Sequence, residues 1–121
     1  MADGRRRQAE RRGRRAEWLA ALWLMARGYR LLARRCQTPV GEIDLVMRRG
    51  DTLAFVEVKA RATLDSGLLA LHAGQARRCA AAARWLAPRW GWPGACLRLD
   101  AVVIRPWRWP VHLVGVWRDD W

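Results

Sequence analysis

Cysteine is scarce and poorly placed for cross-linking: Cys36, Cys79 and Cys96 are the only three, widely spaced and without a CxxC pair. At least one must stay unpaired, which excludes a full disulfide framework, and the spacing argues against a structural zinc site. No apolar run approaches the ~18–20 residues of a membrane-spanning helix, and the first residues lack the apolar segment and cleavage site of a secretory signal. A soluble cytoplasmic protein with no membrane partner is the expectation. Acid is in short supply, with 11 Asp and Glu against 23 Lys and Arg, for a net charge of +12. Lysine is rarer still, since 22 of the basic residues are arginine and the other is Lys59. At 121 residues there is no room for two enzyme domains with separate cores.

What is present is a hydrophobic content of 52%, too high for a disordered basic tail and enough for one packed core. The charge favours a polyanionic partner, nucleic acid first and an anionic membrane surface second. Arginine suits bidentate contact with phosphate. Since arginine serves here wherever a general cation suffices, the single lysine requires a separate account.

The order of elements follows from periodicity. Residues 1–12 read as a basic, flexible arm carrying Arg5, Arg6, Arg7, Arg11 and Arg12, with Arg14 and Arg15 just beyond, and residues 13–121 as a single domain. Ala16, Leu19, Ala20, Trp23 and Leu24 recur at helical spacing, which predicts a helix over about 14–27 stopped by Gly28. Residues 29–36 read as a first strand and 37–41 as a turn. Residues 42–48 alternate, with Ile43, Leu45 and Met47 on one face and Glu42, Asp44, Val46 and Arg48 on the other. A tight Arg49-Gly50-Asp51 connection leads to a strand over 53–59, so the two strands form an antiparallel hairpin. A loop over 61–67 precedes a second helix over about 73–86, with Gln75, Cys79, Ala82, Ala83 and Leu86 along one side, ended by Pro88, Gly91, Pro93 and Gly94. Residues 97–104 form a fourth strand, reached by a crossover that calls for parallel pairing, and 113–117 a fifth. The expected class is α/β, in the order α-β-β-β-α-β, a small mixed sheet flanked by helices.

The chemistry is concentrated between residues 42 and 59. Asp44 lies mid-strand between hydrophobic neighbours, a costly place for a carboxylate unless it is paired or metal-bound. Glu57 is again inside a strand, and period two puts Lys59 on its face, about 6.5–7 Å along. Paired carboxylates suit Mg²⁺ (or Mn²⁺), which takes oxygen ligands and keeps several waters. A neighbouring lysine can orient or help deprotonate water, or stabilise charge on a phosphate, as phosphodiester hydrolysis requires. The pattern points to a metal-dependent nuclease, with a structural ion-pair cluster as the alternative.

Gly41-Glu42-Ile43-Asp44-Leu45-Val46, followed by Phe55-Val56-Glu57-Val58-Lys59-Ala60-Arg61, resembles the signature of the YraN-like family of small bacterial proteins. The likeness extends upstream through Arg14-Arg15-Ala16-Glu17 and Gly28-Tyr29-Arg30, and downstream through Gly67, Arg77-Arg78 and Leu99-Asp100-Ala101-Val102, roughly residues 13 to 105. It implies a restriction-endonuclease-like core related to archaeal Holliday-junction resolvases. By that resemblance Asp44 and Glu57 are metal ligands, Lys59 is the catalytic lysine, and Glu17 and Glu42 are auxiliary acids near the metal. Where the family has a Lys-Gln pair at the start of the second helix, this chain has Gln75-Ala76, so Gln75 is expected to touch the scissile phosphate. Arg61, Arg77 and Arg78 join the arginines of the arm as expected nucleic-acid contacts. The implied function is an endonuclease acting on DNA, branched or non-standard DNA included, with a homodimer expected where both strands are cut. The alternative is a non-catalytic protein that binds DNA or RNA and keeps its acids for stability.

Tryptophan is abundant, at 9 residues. Trp18, Trp23 and Trp85 fall in helices and are expected in the core. Trp90, Trp92, Trp107 and Trp109 lie beside arginines in Pro/Gly-rich segments and fit either base stacking or a dimer face. His72, His112 and the cysteines are expected to be structural. Asp100 is either a paired acid next to the site or a partner for an arginine.

Overall fold

Arginine, alanine, glutamine and glutamate are good helix formers, and the chain opens with a run of them. The computed structural model describes residues 2–72 and 75–116, with side chains placed for 13–69 and 78–116. Its first helix, α1, spans Ala2–Ala26. Residues 2–12, read from the sequence as a basic arm, are helical and belong to α1. The side chains of Arg5, Arg6, Arg7, Arg11 and Arg12 lie outside those described. At its other end Gly28, with φ +94°, closes the helix. Tyr29 N donates to Leu24 O at 3.1 Å and Gly28 N to Met25 O at 3.0 Å, satisfying two of the last carbonyls.

Three antiparallel strands follow, β1 (Arg30–Thr38), β2 (Gly41–Arg49) and β3 (Thr52–Ala60). The first turn is held by Thr38, whose hydroxyl accepts from Val40 N at 3.2 Å and donates to Gly41 O at 2.6 Å. Gly50, at φ +58°, opens the second turn. Helices α2 (Leu64–His72) and α3 (Gln75–Trp90) then cross over to β4 (Cys96–Ile104), which pairs parallel to β3 along its length. Strand β5 (Val111–Leu113) adds antiparallel to β4, completing a five-stranded sheet in the order β1-β2-β3-β4-β5.

The α/β class and the succession of one helix, three strands, a helical crossover and a strand stand as expected, consistent with a restriction-endonuclease-like core. Four details differ. The loop expected over 61–67 contains the start of α2, whose cap is Thr63, its hydroxyl accepting from Ser66 N at 3.1 Å. Helix α3 runs on through Pro88 to Trp90, because a proline in the last turn forfeits little hydrogen bonding before the helix ends. The fifth strand ends at Leu113 rather than beginning there, and Trp117 is outside the described residues. Trp18 and Trp85 are 44% and 59% exposed, since the stripe of α1 that meets the sheet is Ala16, Glu17, Ala20, Ala21 and Leu24, with Leu19 turned outward.

The sheet is covered on both faces. On one, Val46, Leu53, Phe55 and Leu99 pack on Cys79, Ala82, Ala83 and Leu86 of α3. On the other, Leu45, Met47, Ala54, Val56 and Val102 pack on Ala20, Ala21 and Leu24 of α1. Ile43 departs from the expected alternation and joins the α3 face. Its strand has left the β3 ladder there, the last β2–β3 pair being Leu45 with Val56. Among the described residues no helix is long and apolar enough to cross a membrane.

Candidate functional site

Asp44 occupies a break in the sheet. Beyond Leu45 the β2–β3 ladder stops, and Val58 N, freed from backbone pairing there, donates to Asp44 Oδ2 at 2.8 Å. On the other flank, the pairs Arg34 with Leu45 and Cys36 with Ile43 put Arg35 opposite Asp44, and Arg35 takes φ +52°. A side chain in that left-handed state inside a strand is strained, a condition that gathers at functional positions.

Glu57 reaches the same place from β3. Its Oε1 lies 3.1 Å from Lys59 Nζ, and its Oε2 accepts from the Cys79 thiol of α3 at 3.6 Å. Lys59 is buried, so a compact ammonium is held against the Glu57 carboxylate rather than in solvent. Burial first, and then the Glu57 carboxylate beside it, push Asp44 up to about 8, with the Val58 N–H opposing. Burial and the same Glu57 push the Cys79 thiol up to about 12.

Asp44, Glu57 and Cys79 line one open cleft of about 460 Å³ with Gln37, Thr38, Gly41, Glu42 and Arg78. Gly41 is required there because a Cβ would come within 2.8 Å of the Arg78 carbonyl, so the β1–β2 turn sits directly on α3. Glu42 and Arg78 are exposed at the cleft's rim. Glu17 is buried on α1, and its partner is Arg35 of β1, Nε to Oε2 at 2.9 Å. That pair neighbours the cleft electrostatically, since Glu17 adds to the upward push on Asp44. Arg61 is exposed just past β3, its Nη1 donating to Ala60 O at 2.7 Å, and Arg14 and Arg15 are exposed on α1. The side chains of Gln75 and Arg77 lie outside those described. Arg35 and Cys79 were not read as site residues from the sequence: Arg35 is placed only by strand pairing, whereas Cys79 carries a signal, one helical turn from Gln75 on the same face.

The donor set fits a hard divalent cation. Among the described residues no group of three or more His, Cys, Asp or Glu is placed to hold a metal ion, but Mg²⁺ needs only one or two carboxylates when substrate phosphate and water complete its shell. The raised Asp44 supplies the physical argument: two carboxylates stand close together in a partly buried place, where each disfavours the other's charge and a cation would relieve both.

Asp100 resolves differently. It is fully buried and faces α1, accepting from Arg98 through both oxygens at 2.8 Å, from Gly115 N at 3.0 Å, and contacting His112 Nε2 at 2.8 Å. Burial pushes its carboxyl up, but His112, Arg98 and the Gly115 N–H together hold it below the usual carboxylate range. Arg98 also donates to the Tyr29 hydroxyl, and the Tyr29 and His112 rings meet edge to face. This is a structural network on the sheet face opposite Glu57, with His112 part of it.

Residues 16–104 match the model of a family described as Uncharacterised protein family UPF0102. The chain is 53% identical over 113 residues to a UPF0102 protein of Maricaulis maris, covering 93% of this chain and 89% of that one. A UPF0102 protein of Mesorhizobium japonicum is 51% identical over 109 residues, covering 89% and 87% respectively. One from Rhizorhabdus wittichii is 49% identical over 116 residues, covering 96% and 98%. The span matched by the family model holds Glu17, Glu42, Asp44, Glu57 and Lys59 and stops before the tryptophans at 107 and 109.

Proposed function

The chain belongs to the uncharacterised protein family UPF0102, the YraN family, and from that premise we propose that it is a metal-dependent endonuclease hydrolysing phosphodiester bonds in DNA. One observation carries the reading: the Asp44 and Glu57 carboxylates meet in one cleft, with Lys59 Nζ 3.1 Å from Glu57. Asp44, fixed by the Val58 N–H, and Glu57 would hold Mg²⁺ or Mn²⁺, with Glu42 at the rim as a further acid. Bound there, the ion supplies a Lewis acid for the phosphoryl group and lowers the pKa of water. Lys59, steadied by Glu57, donates to a phosphoryl oxygen as negative charge develops, or orients the attacking water. Arg78 at the rim and Arg61 past β3 bind flanking phosphates, and the +12 charge draws the polyanion in.

The test is cleavage of duplex, branched and single-stranded DNA and of RNA with Mg²⁺, Mn²⁺ or EDTA. Metal-dependent DNA cleavage that Glu57→Gln and Lys59→Ala abolish is the expected result. Cleavage that survives Glu57→Gln would overturn the assignment of the cleft. Binding without cleavage under every condition would select the non-catalytic alternative.

A further inference from the structure

The segment between β4 and β5 takes no part in the core or in the acidic cleft. It reads Arg105-Pro106-Trp107-Arg108-Trp109-Pro110. Several contacts make it rigid. The Trp109 ring packs on Trp23 of α1 with centroids 5.4 Å apart, and Arg27 lies over Trp23 at 4.4 Å. Arg105 Nη2 donates to the Trp109 carbonyl at 3.5 Å. Two prolines fix φ at either end. Within this braced loop Trp107 is 101% exposed and has φ +59°. A left-handed backbone disfavours any side chain with a Cβ, and a ring wholly in water forgoes the burial that normally justifies a tryptophan. The fold gains nothing from either, and positions strained in this way gather at ligand sites.

The loop also has a defined place. Parallel pairing sets Lys59 beside Val103 and Ala60 beside Ile104, and Arg61 N donates to Ile104 O at 3.0 Å. The next residue is Arg105, so the loop leaves the sheet at the end where Lys59 and Arg61 stand. An aromatic face flanked by Arg105 and Arg108 has the chemistry that stacks on a nucleobase and neutralises its neighbouring phosphates. A base inside a duplex has no free face to offer. A second copy is the poorer occupant, since it would bring the same arginines against one another.

We infer that Trp107 is a stacking platform for an unpaired nucleobase at the end of the sheet where Lys59 and Arg61 stand, so that the substrate is DNA with single-stranded or flipped-out nucleotides. This rests on the nuclease reading of the cleft. The experiment is fluorescence anisotropy of the full chain in EDTA at fixed salt, with one duplex fully paired and the same duplex carrying a short gap. The gapped DNA should bind about 10-fold more tightly, within the range for one stacked base. Trp107→Ala should remove that preference while leaving paired-duplex affinity in place, and Trp107→Tyr should restore part of it. Trp107→Gly relieves the backbone, so it should lose the preference without losing thermal stability, which separates binding from folding.

Equal affinity for paired and gapped DNA in the wild type would overturn the inference, as would equal weakening of both by Trp107→Ala. A change in sedimentation on Trp107→Ala with unaltered binding would assign the ring to a second copy instead. If paired DNA is bound and cut normally and Trp107→Ala changes nothing, the platform falls and the nuclease reading stands. If no DNA binds at all, both fall.

Discussion

Raising the pH of a metal-free sample should weaken the fold, and Asp44 should account for the loss. Its carboxyl lies near 3.8 in an unfolded chain and at about 8 in the native protein. Between those values the native state holds a proton that the unfolded state has released, so stability falls as pH rises from about 4 to about 8. With a native value of about 8, a loss on the order of 3–4 kcal/mol is expected between pH 5 and 8. That is a large share of the stability of a small domain. Asp44→Asn supplies the reference, because its amide can still accept from the Val58 N–H and can donate to Glu57 without ionising. Urea denaturation followed by circular dichroism at half-unit steps from pH 5 to 8, in EDTA, gives both curves. The difference between wild type and variant should tilt by about 3–4 kcal/mol over that range, with the variant the more stable at pH 8. Titrations remote from the cleft cancel in the difference. Saturating Mg²⁺ at pH 8 should restore the wild type and do little for the variant. A difference that stays flat to within about 1 kcal/mol would refute a protonated Asp44 in the native cleft.

Lys59→Arg should lower single-turnover cleavage at least ~10-fold, or about 1.4 kcal/mol, because a planar guanidinium cannot take the place of a compact ammonium held at 3.1 Å from Glu57. Arg98→Ala should cost about 3–5 kcal/mol in urea denaturation by leaving the buried Asp100 short of its bidentate partner, with no pH-independent loss at the cleft. Removing residues 1–12 takes away five arginines and should flatten the dependence of log K on log salt by up to about 4.5 for duplex DNA. An unchanged salt slope would show that this part of α1 does not touch the phosphates.

The hairpin that carries the acids was the most legible part of the chain. Alternation on either side of Gly50 fixed the strands, and a carboxylate among apolar neighbours marked Asp44 and Glu57 without any knowledge of tertiary contacts. What escaped depended on pairing between distant elements. Glu17 meets Arg35 of β1, a partner that no helical spacing could reveal, and Asp100 finds three partners from two strands and a turn. The start of α2 was legible but overlooked: Thr63 with Asp65 in the first turn is a capping signal, masked by a serine and Gly67. Gly67 is there because a Cβ would come within 2.7 Å of Val103, a demand set by packing on β4. The outward tryptophans of the helices misled in another way, since hydrophobicity alone does not say which side of a helix meets the sheet.

The sheet's two margins decide how copies of this protein can meet. A strand at the margin of a sheet exposes a row of unpaired backbone groups that invites another chain to add itself. Here one margin is β1, which bears exposed Arg30, Arg34 and Arg35, shifts register between Leu31 and Ala33, and twists through the left-handed Arg35. The other is β5, only 3 residues long. Neither offers a flat, uncharged template, so strand addition and the aggregation that follows from it are blocked at both ends. The distortion that sets Arg35 opposite Asp44 thus also guards the open flank of the sheet.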